Sequence, residues 1–572
     1  MELSKFRNNN LFIFLFLSVG FYLFLIMPKI AKPIAGWEIC TWDVAQSIAD
    51  NGPASVKFFY LPPLYASLIA LSFKLLGISQ ISARITGVVC FIAVAAIIYF
   101  LIKEISVNKK ESYLAGIIAL IIFVSSPAAV QGSLVIDHPD TTLFTLLACL
   151  FYLFLFKTER LAFAPRVFWL GIIYALCLWA KMTTALSFLI ALPLAFVLTG
   201  ERRNAVNLSL GVFSFGAALF ILSWFAYCYF IAGPGRFIEP FSYYAMNTAG
   251  SFFVGFPEKI ARIILDIFRV SVWFSPFLLI LGIAAVFDIL KNAGKQENKR
   301  MIHLAAFIFV VITGYLAANA TFSSFPKYVA PVLPMLSCVI ACYGGRLFGG
   351  SINPRAFFVL ILSLAGGVIY YFFLSGDLVY EIFLIRQARL LGTIEAYLYG
   401  MPVKAVFYLG FPLALVLLLK RSLSVALNKR VILGIFIALI AGNIAVSLAQ
   451  RKADYSLNYA YGAEGIEQLK KFLEENAPLE VFTTTEGVIA NMEGVRFSGA
   501  AAGSWDSPED FLDFMDKRRP GAFLYGLPTN NIDQLKTILY NPKVKDIFKK
   551  YYKEYVFGSY IMLIRNANAR GA

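Results

Sequence analysis

The sequence predicts an α-helical polytopic membrane protein of about thirteen transmembrane helices, followed by a small C-terminal α/β soluble domain. Three observations predict it. The first is composition. Of 572 residues 59% are hydrophobic and only 15% charged, with a mean hydropathy of +0.73. Soluble domains run near about 25% charged, and disordered chains run higher. The 55 Phe and 29 Tyr suit a bilayer, where rings also anchor the interfaces. The second is a long succession of apolar runs. The third is a split in charge. Residues 451–572 hold 16 Lys/Arg and 16 Asp/Glu, so the whole formal charge of +16 lies in residues 1–450. That excess sits in short loops between apolar runs, which marks topology rather than nucleic-acid binding.

A span needs about 20 mostly apolar residues. The runs that qualify are 11–30, 83–102, 113–130, 137–156, 166–181, 182–199, 208–232, 269–288, 302–318, 329–345, 356–374, 403–420 and 431–450. Segment 62–77 opens with Pro62-Pro63, contains Lys74, and reads as an interfacial or re-entrant helix. With a cytoplasmic N-terminus, every inside loop is basic, among them those with Lys103, Lys109 and Lys110, with Lys157, Arg160 and Arg166, and with Lys299 and Arg300. Counting 62–77 as a span would move most of these cations outside, against the positive-inside rule. Thirteen spans place the tail on the outer face of an inner or plasma membrane. The first run lacks a small-residue cleavage site and reads as a retained anchor.

Domain organisation follows. Residues 1–450 form the membrane domain, with outer segments 31–82, 233–268 and 375–402. Residues 451–572 form the extracytoplasmic domain. In the tail, 463–476 and 507–518 read as amphipathic helices and 531–540 as a third helix. EVFTTT (480–485) and AFLYG (522–526) read as strands, and 552–565 as a closing hairpin. The seven cysteines all lie before the tail, and no pair has metal spacing; they read as small apolar filler.

Chemistry-bearing residues gather at outer ends. Glu38 and Asp43 follow the first span at the membrane surface. A carboxylate there can act as general base or help bind a divalent cation. Asp137, His138 and Asp140 precede the fourth span, where Asp137 also suits a helix N-cap. With two histidines in the chain, a multi-histidine zinc site is excluded. Any metal site would be carboxylate-rich, built from Glu38 and Asp43 with His138. The cofactor is left unknown, with a divalent metal ion as the candidate. Lys181, Lys327 and Arg84 are cations at outer ends, against the inside bias. Binding an anionic head group or pairing with acids explains them equally.

These residues, in order, carry a resemblance. Glu38, Ala45 and Gly52 are followed by Pro62-Pro63-Leu64-Tyr65, Leu75-Leu76-Gly77 and Arg84. Then come His138-Pro139-Asp140, Trp179-Ala180-Lys181-Met182-Thr183-Thr184 and Lys327-Tyr328-Val329-Ala330-Pro331. Over roughly residues 10–345 the sequence resembles the GT-C glycosyltransferases that use polyprenyl-phosphate sugars, the branch of protein O-mannosyltransferases and lipid A aminoarabinose transferases. The family's usual Asp-Glu pair is Trp37-Glu38 here, which leaves Glu38 and Asp43 both open as the base. The resemblance implies a GT-C-like fold and a sugar moved, with inversion, from a polyprenyl-phosphate donor to a lipid, protein or glycan acceptor on the outer face. It implies that Glu38 or Asp43 deprotonates the acceptor and that Asp140, with Asp137 second, positions the acceptor or a metal. Lys181, Lys327, Arg84 and Tyr328 would hold the donor phosphate. The partners are the lipid-linked sugar, the acceptor and membrane lipids, with no nucleic acid. A secondary transporter or lipid flippase is the rival reading; it calls for mid-span ionisable groups and repeated halves, and no internal repeat is evident.

Overall fold

The structure is a computed structural model. It describes residues 2–34, 38–106, 109–137, 139–243, 276–291, 298–317 and 327–348, and shorter stretches within 436–448 and 465–566. The expected spans 356–374 and 403–420 and the outer segment 375–402 lie outside the described residues, as does most of 244–268.

The chain opens with α1 (Glu2–Ile26), α2 (Glu38–Asn51), α3 (Leu64–Leu76), α4 (Gln80–Ile105), α5 (Lys109–Val124) and the single-turn α6 (Pro127–Gly132). It continues with α7 (Leu143–Lys157), α8 (Phe163–Ala185), α9 (Ser187–Leu198), α10 (Arg202–Tyr227), α11 (Pro276–Lys291), α12 (Lys299–Ala317) and α13 (Val332–Phe348). Among the described residues four helices are long and apolar enough to cross a membrane: Gln80–Ile105, Phe163–Ala185, Val206–Ala232 and Lys299–Ala317. Shorter apolar helices lie before, between and after them. Among these α3 has 13 residues, a rise of about 20 Å against a hydrocarbon core of about 30 Å. Pairs α4 with α7, α8 with α10, α9 with α12 and α5 with α13 pack side by side around one continuous buried apolar cluster.

One end of the bundle is an ion-pair face. Arg300, at the start of α12, grips both carboxylate oxygens of Glu159, at 2.5 and 3.2 Å, and lies 3.6 Å from Glu104. Lys299 pairs with Glu201 at 3.1 Å. The α4–α5, α7–α8 and α9–α10 connections therefore share one face with the start of α12, as the alternation of basic loops requires.

One boundary differs from expectation. The fourth span begins at Leu143 behind Thr142, not at Asp137. Residues Pro139–Thr141 form a single 3₁₀ turn instead, and the Asp137 carboxylate is engaged by Lys327, so it does not cap the helix. The runs 166–181 and 182–199 meet at a break in helical geometry, as expected: within α8 the backbone at Lys181 is non-helical (φ −158°, ψ 97°), and a short helical stretch follows to Ala185. Lys181 pairs with Asp140 at this break.

Residues 466–565 contain a five-stranded sheet of order β2-β1-β3-β5-β4. The strands are β1 (Leu479–Thr483), β2 (Val495–Gly499), β3 (Ala522–Gly526), β4 (Tyr552–Phe557) and β5 (Tyr560–Arg565). β1 runs parallel to β2 and β3, and β5 antiparallel to β3 and β4. Helix α14 (Ile466–Glu475) buries Ile466, Leu469 and Leu473 on one face. Helices α15 (Pro508–Arg518) and α16 (Pro542–Tyr551) bury Phe511, Met515, Val544 and Phe548 on the other. Strand β2 and helix α16 are additions to the sequence reading.

Two glycines permit close backbone approaches in the bundle. A Cβ at Gly87 on α4 would lie 2.1 Å from the Ser133 carbonyl oxygen, and one at Gly216 on α10 would lie 2.7 Å from the Gly171 carbonyl of α8. Gly87→Ala must push α4 off the 133–140 segment and is expected to cost roughly 1–3 kcal/mol. Gly20→Ala on α1, where nothing lies within 4 Å, is the control. Melting of the detergent-purified variants checks this: Gly87→Ala melts lower, Gly20→Ala does not.

Candidate active site

The site is built around residues 133–137 and 139–140, short stretches of buried backbone outside the long helices, at the end of the bundle opposite the Arg300 face. Buried irregular backbone must find hydrogen-bond partners, and each comes from a different element. The Tyr22 hydroxyl of α1 donates to Ser133 Oγ at 2.7 Å, and Ser133 donates to the Val130 carbonyl. Arg84 Nε of α4 donates to the Leu134 carbonyl at 3.1 Å. Glu38 Oε1 of α2 accepts the Ile136 N–H at 3.0 Å. The Thr41 hydroxyl donates to the Asp137 carbonyl at 3.4 Å, and Thr145 donates to the Asp140 carbonyl.

Two buried ion pairs then meet at one ring. Lys327 pairs with Asp137 and Lys181 with Asp140, the latter at 3.7 Å. Both ammonium nitrogens lie 5.4 Å from the centre of the Tyr328 ring, where the negative π face attracts a cation. Tyr328 is stacked on Tyr315 of α12 at 5.2 Å. Thr184 of α8 donates to Asp140 Oδ1 and bonds the Tyr315 hydroxyl. Segments near residues 38, 137–140, 181–184, 315 and 327–328 thus meet at one place.

Of the expected site residues, Glu38, Asp137, Asp140, Lys181, Lys327 and Tyr328 converge here. Asp43 does not. It lies on α2 five residues after Glu38, about 140° around the helix, and is exposed where Glu38 is 3% exposed. His138 lies outside the described residues. Arg84 converges on the site with a different role from the expected phosphate contact. It is fully buried and donates to the carbonyls of Ile30, Lys32, Pro33 and Leu134 at 3.0, 2.5, 3.5 and 3.1 Å. Its Nη2 is 4.0 Å from Glu38 Oε2. With its donors directed at the loops on either side of Glu38, Arg84 is a brace. Tyr315 is a site residue that sequence reasoning did not single out, and Thr184 entered there only as the end of the Trp179–Thr184 stretch, with no role of its own.

The electrostatics separate the carboxylates. Burial pushes the Glu38 carboxyl up to about 7, with Arg84 and the Ile136 N–H opposing. Among the described residues its Oε2 has no hydrogen-bond partner, so this oxygen is placed to take a proton near neutrality. Burial also raises Asp140, against the pull of Lys181 and Thr184. For a divalent cation the described residues fit poorly: they include no group of three or more His, Cys, Asp or Glu side chains, and Asp137 and Asp140 are matched to ammonium groups.

Because folding raises the Glu38 pKa, the folded state holds a proton that the unfolded chain releases between 4.5 and about 7. Stability from this group is full at acid pH and is lost as pH rises through that window. Glu38→Gln is therefore expected to flatten the fall in melting temperature between about pH 4.5 and 7, read by melting in a buffer series; an unchanged slope contradicts the assignment.

A family model described as dolichyl-phosphate-mannose-protein mannosyltransferase matches residues 61–229, under a third of the chain. The match takes in Arg84, Asp137, Asp140, Lys181 and Thr184. No curated protein sequence matches. Among solved structures, ArnT from Cupriavidus metallidurans bound to undecaprenyl phosphate superposes with a TM-score of 0.55 at 12% identity, over 99% of each chain. The apo form of the same ArnT gives 0.52 at 12% identity, again over 99% of each chain. At this identity the likeness is one of fold. The family match over residues 61–229 and the ArnT-like fold agree with the resemblance first read from the ordered motifs.

Proposed function

We propose that this protein is an integral-membrane glycosyltransferase that moves a sugar from a polyprenyl-phosphate donor to a lipid, protein or glycan acceptor on the outer face of the membrane. The observation that carries the reading is the pair of lysines, Lys181 and Lys327, held at one tyrosine ring, together with the buried Glu38 carboxyl, whose Oε2 makes no hydrogen bond among the described residues. The ArnT structure solved with undecaprenyl phosphate supports the donor class. The proposal takes the thirteen-span topology, with the N-terminus cytoplasmic and residues 451–572 extracytoplasmic.

An ammonium group has three donors. Lys181 and Lys327 can therefore keep their carboxylate partners and still grip a phosphate. The donor lipid would lie among the helices with its phosphate against these two cations. The acceptor's nucleophilic atom attacks the anomeric carbon from the face opposite the phosphate. Its proton passes to Glu38, a bond from that atom to the anomeric carbon forms, and the bond from that carbon to the phosphate oxygen breaks with its electron pair. Configuration inverts. The lysines stabilise the charge that develops on the departing phosphate. Asp137 and Asp140 orient the lysines, and Asp140 offers a second carboxylate toward the acceptor. Of the two acids left open by the sequence, burial favours Glu38 over the exposed Asp43.

Incubating the purified full-length protein with radiolabelled polyprenyl-phosphate sugars in liposomes tests this. Label is expected to leave the lipid and appear on acceptor. Lys181→Ala and Lys327→Ala, checked for monodispersity, are expected to lower turnover by about 100-fold, the usual scale for a lost transition-state charge contact. Labelled lipid that crosses the bilayer uncleaved would make the protein a carrier and sink the reading.

A further inference from the structure

We infer that Tyr315 and Thr184 are positioning residues for the reaction, acting together on Asp140 and on Tyr328 and thereby tying the two ion pairs into one unit. This inference rests on the transferase reading above. Thr184 has a single hydroxyl proton, and an ionised carboxylate can only accept. The contact of Thr184 with Asp140 Oδ1 therefore consumes that proton. The remaining contact, between Thr184 and Tyr315, must then run the other way, with the phenol donating. The chain has one direction: Tyr315 to Thr184 to Asp140.

That direction fixes the carboxylate. Oδ1 is held by Thr184, and Oδ2 lies 3.7 Å from Lys181. With its two oxygens held by different partners, the Asp140 carboxylate cannot rotate without breaking one of them. The kink at Lys181 turns the last helical residues of α8 so that Lys181 and Thr184, three residues apart, both reach the same acid. Thr184 is 1% exposed and Asp140 fully buried, so water does not compete for these bonds.

Tyr315 also acts through its ring. It is stacked on Tyr328 at 5.2 Å, with planes 16° apart. The Tyr328 ring carries both ammonium groups at 5.4 Å. One side chain on α12 thus sets the angle of the acid through its hydroxyl and the height of the cation platform through its face. The charged and titratable groups around Asp140 are Lys181, Lys327, Asp137, Tyr315 and Tyr328. Loss of the Thr184 hydroxyl leaves all of these groups in place and removes the bond that favours the ionised acid, together with the acceptor of the Tyr315 phenol.

The test uses full-length protein in liposomes with a polyprenyl-phosphate sugar, comparing Thr184→Val, Thr184→Ser and Tyr315→Phe. Thr184→Val keeps the shape and removes the hydroxyl. Its kcat is expected to fall about 10- to 100-fold, with the donor KM changed by less than about threefold, because the lost bond is to a charged group and does not touch the donor. The acidic limb of its pH–rate profile moves up by about one unit, since the charged form of Asp140 loses a donor. Thr184→Ser restores both. Tyr315→Phe keeps the ring stack and gives a smaller loss in the same direction, and so remains informative should the valine variant fold poorly. Wild-type kcat and pH profile in Thr184→Val and Tyr315→Phe, in an otherwise active protein, overturn the inference. An inactive wild type overturns the proposed function, and this inference with it.

Discussion

Everything at the candidate site depends on burying the segment at residues 133–137 and 139–140 without leaving its polar groups unmet. In a low-dielectric bundle an unpaired carbonyl, amide or carboxylate costs several kcal/mol. Six elements answer that demand, each with one or two side chains: α1 with Tyr22, α2 with Glu38, α4 with Arg84, α7 with Thr145, α8 with Lys181 and Thr184, and the Lys327 turn. Convergence is thus not incidental to the fold. The segment cannot be buried unless its neighbours bring partners, and those partners are the residues that can do chemistry.

Buried ion pairs of this sort are poor sources of stability, because desolvation offsets most of the attraction, while loss of one partner costs about 3–5 kcal/mol. Their value here is geometric. Asp137 and Asp140 hold two ammonium groups at the Tyr328 ring. A phosphate entering the site meets cations already oriented, which is the preorganisation that electrostatic catalysis requires. Arg84 illustrates the opposite use of a cation: with its donors directed at carbonyls, it holds the loops around Glu38 rather than a ligand.

Much of this was legible in the sequence. The outer cations Lys181 and Lys327 stood out because they oppose the positive-inside bias, and the acids at 38, 137 and 140 because they sit where apolar runs begin or end. Other features had no such signal. Glu38 and Asp43 could not be ranked without the phase of α2, since the sequence there reads as loop. Arg84 looked like any outer-end cation, because carbonyl partners from residues 30–34 and 134 leave no mark in the sequence. Thr184 and Tyr315 were anonymous hydroxyls in apolar runs, 131 positions apart. In the tail, α16 carried a readable Asn541-Pro542 start with the Asn541 side chain capping Lys543, whereas β2, VRFSG, is too short and polar to read as a strand.

The most direct measurement is an experimental structure with undecaprenyl phosphate added at saturating concentration. The account predicts phosphate density within about 4 Å of both Lys181 Nζ and Lys327 Nζ, the distance over which such charge pairs are effective, with the prenyl tail leaving between helices. A phosphate seated away from Tyr328, or no bound lipid at saturation, would contradict it.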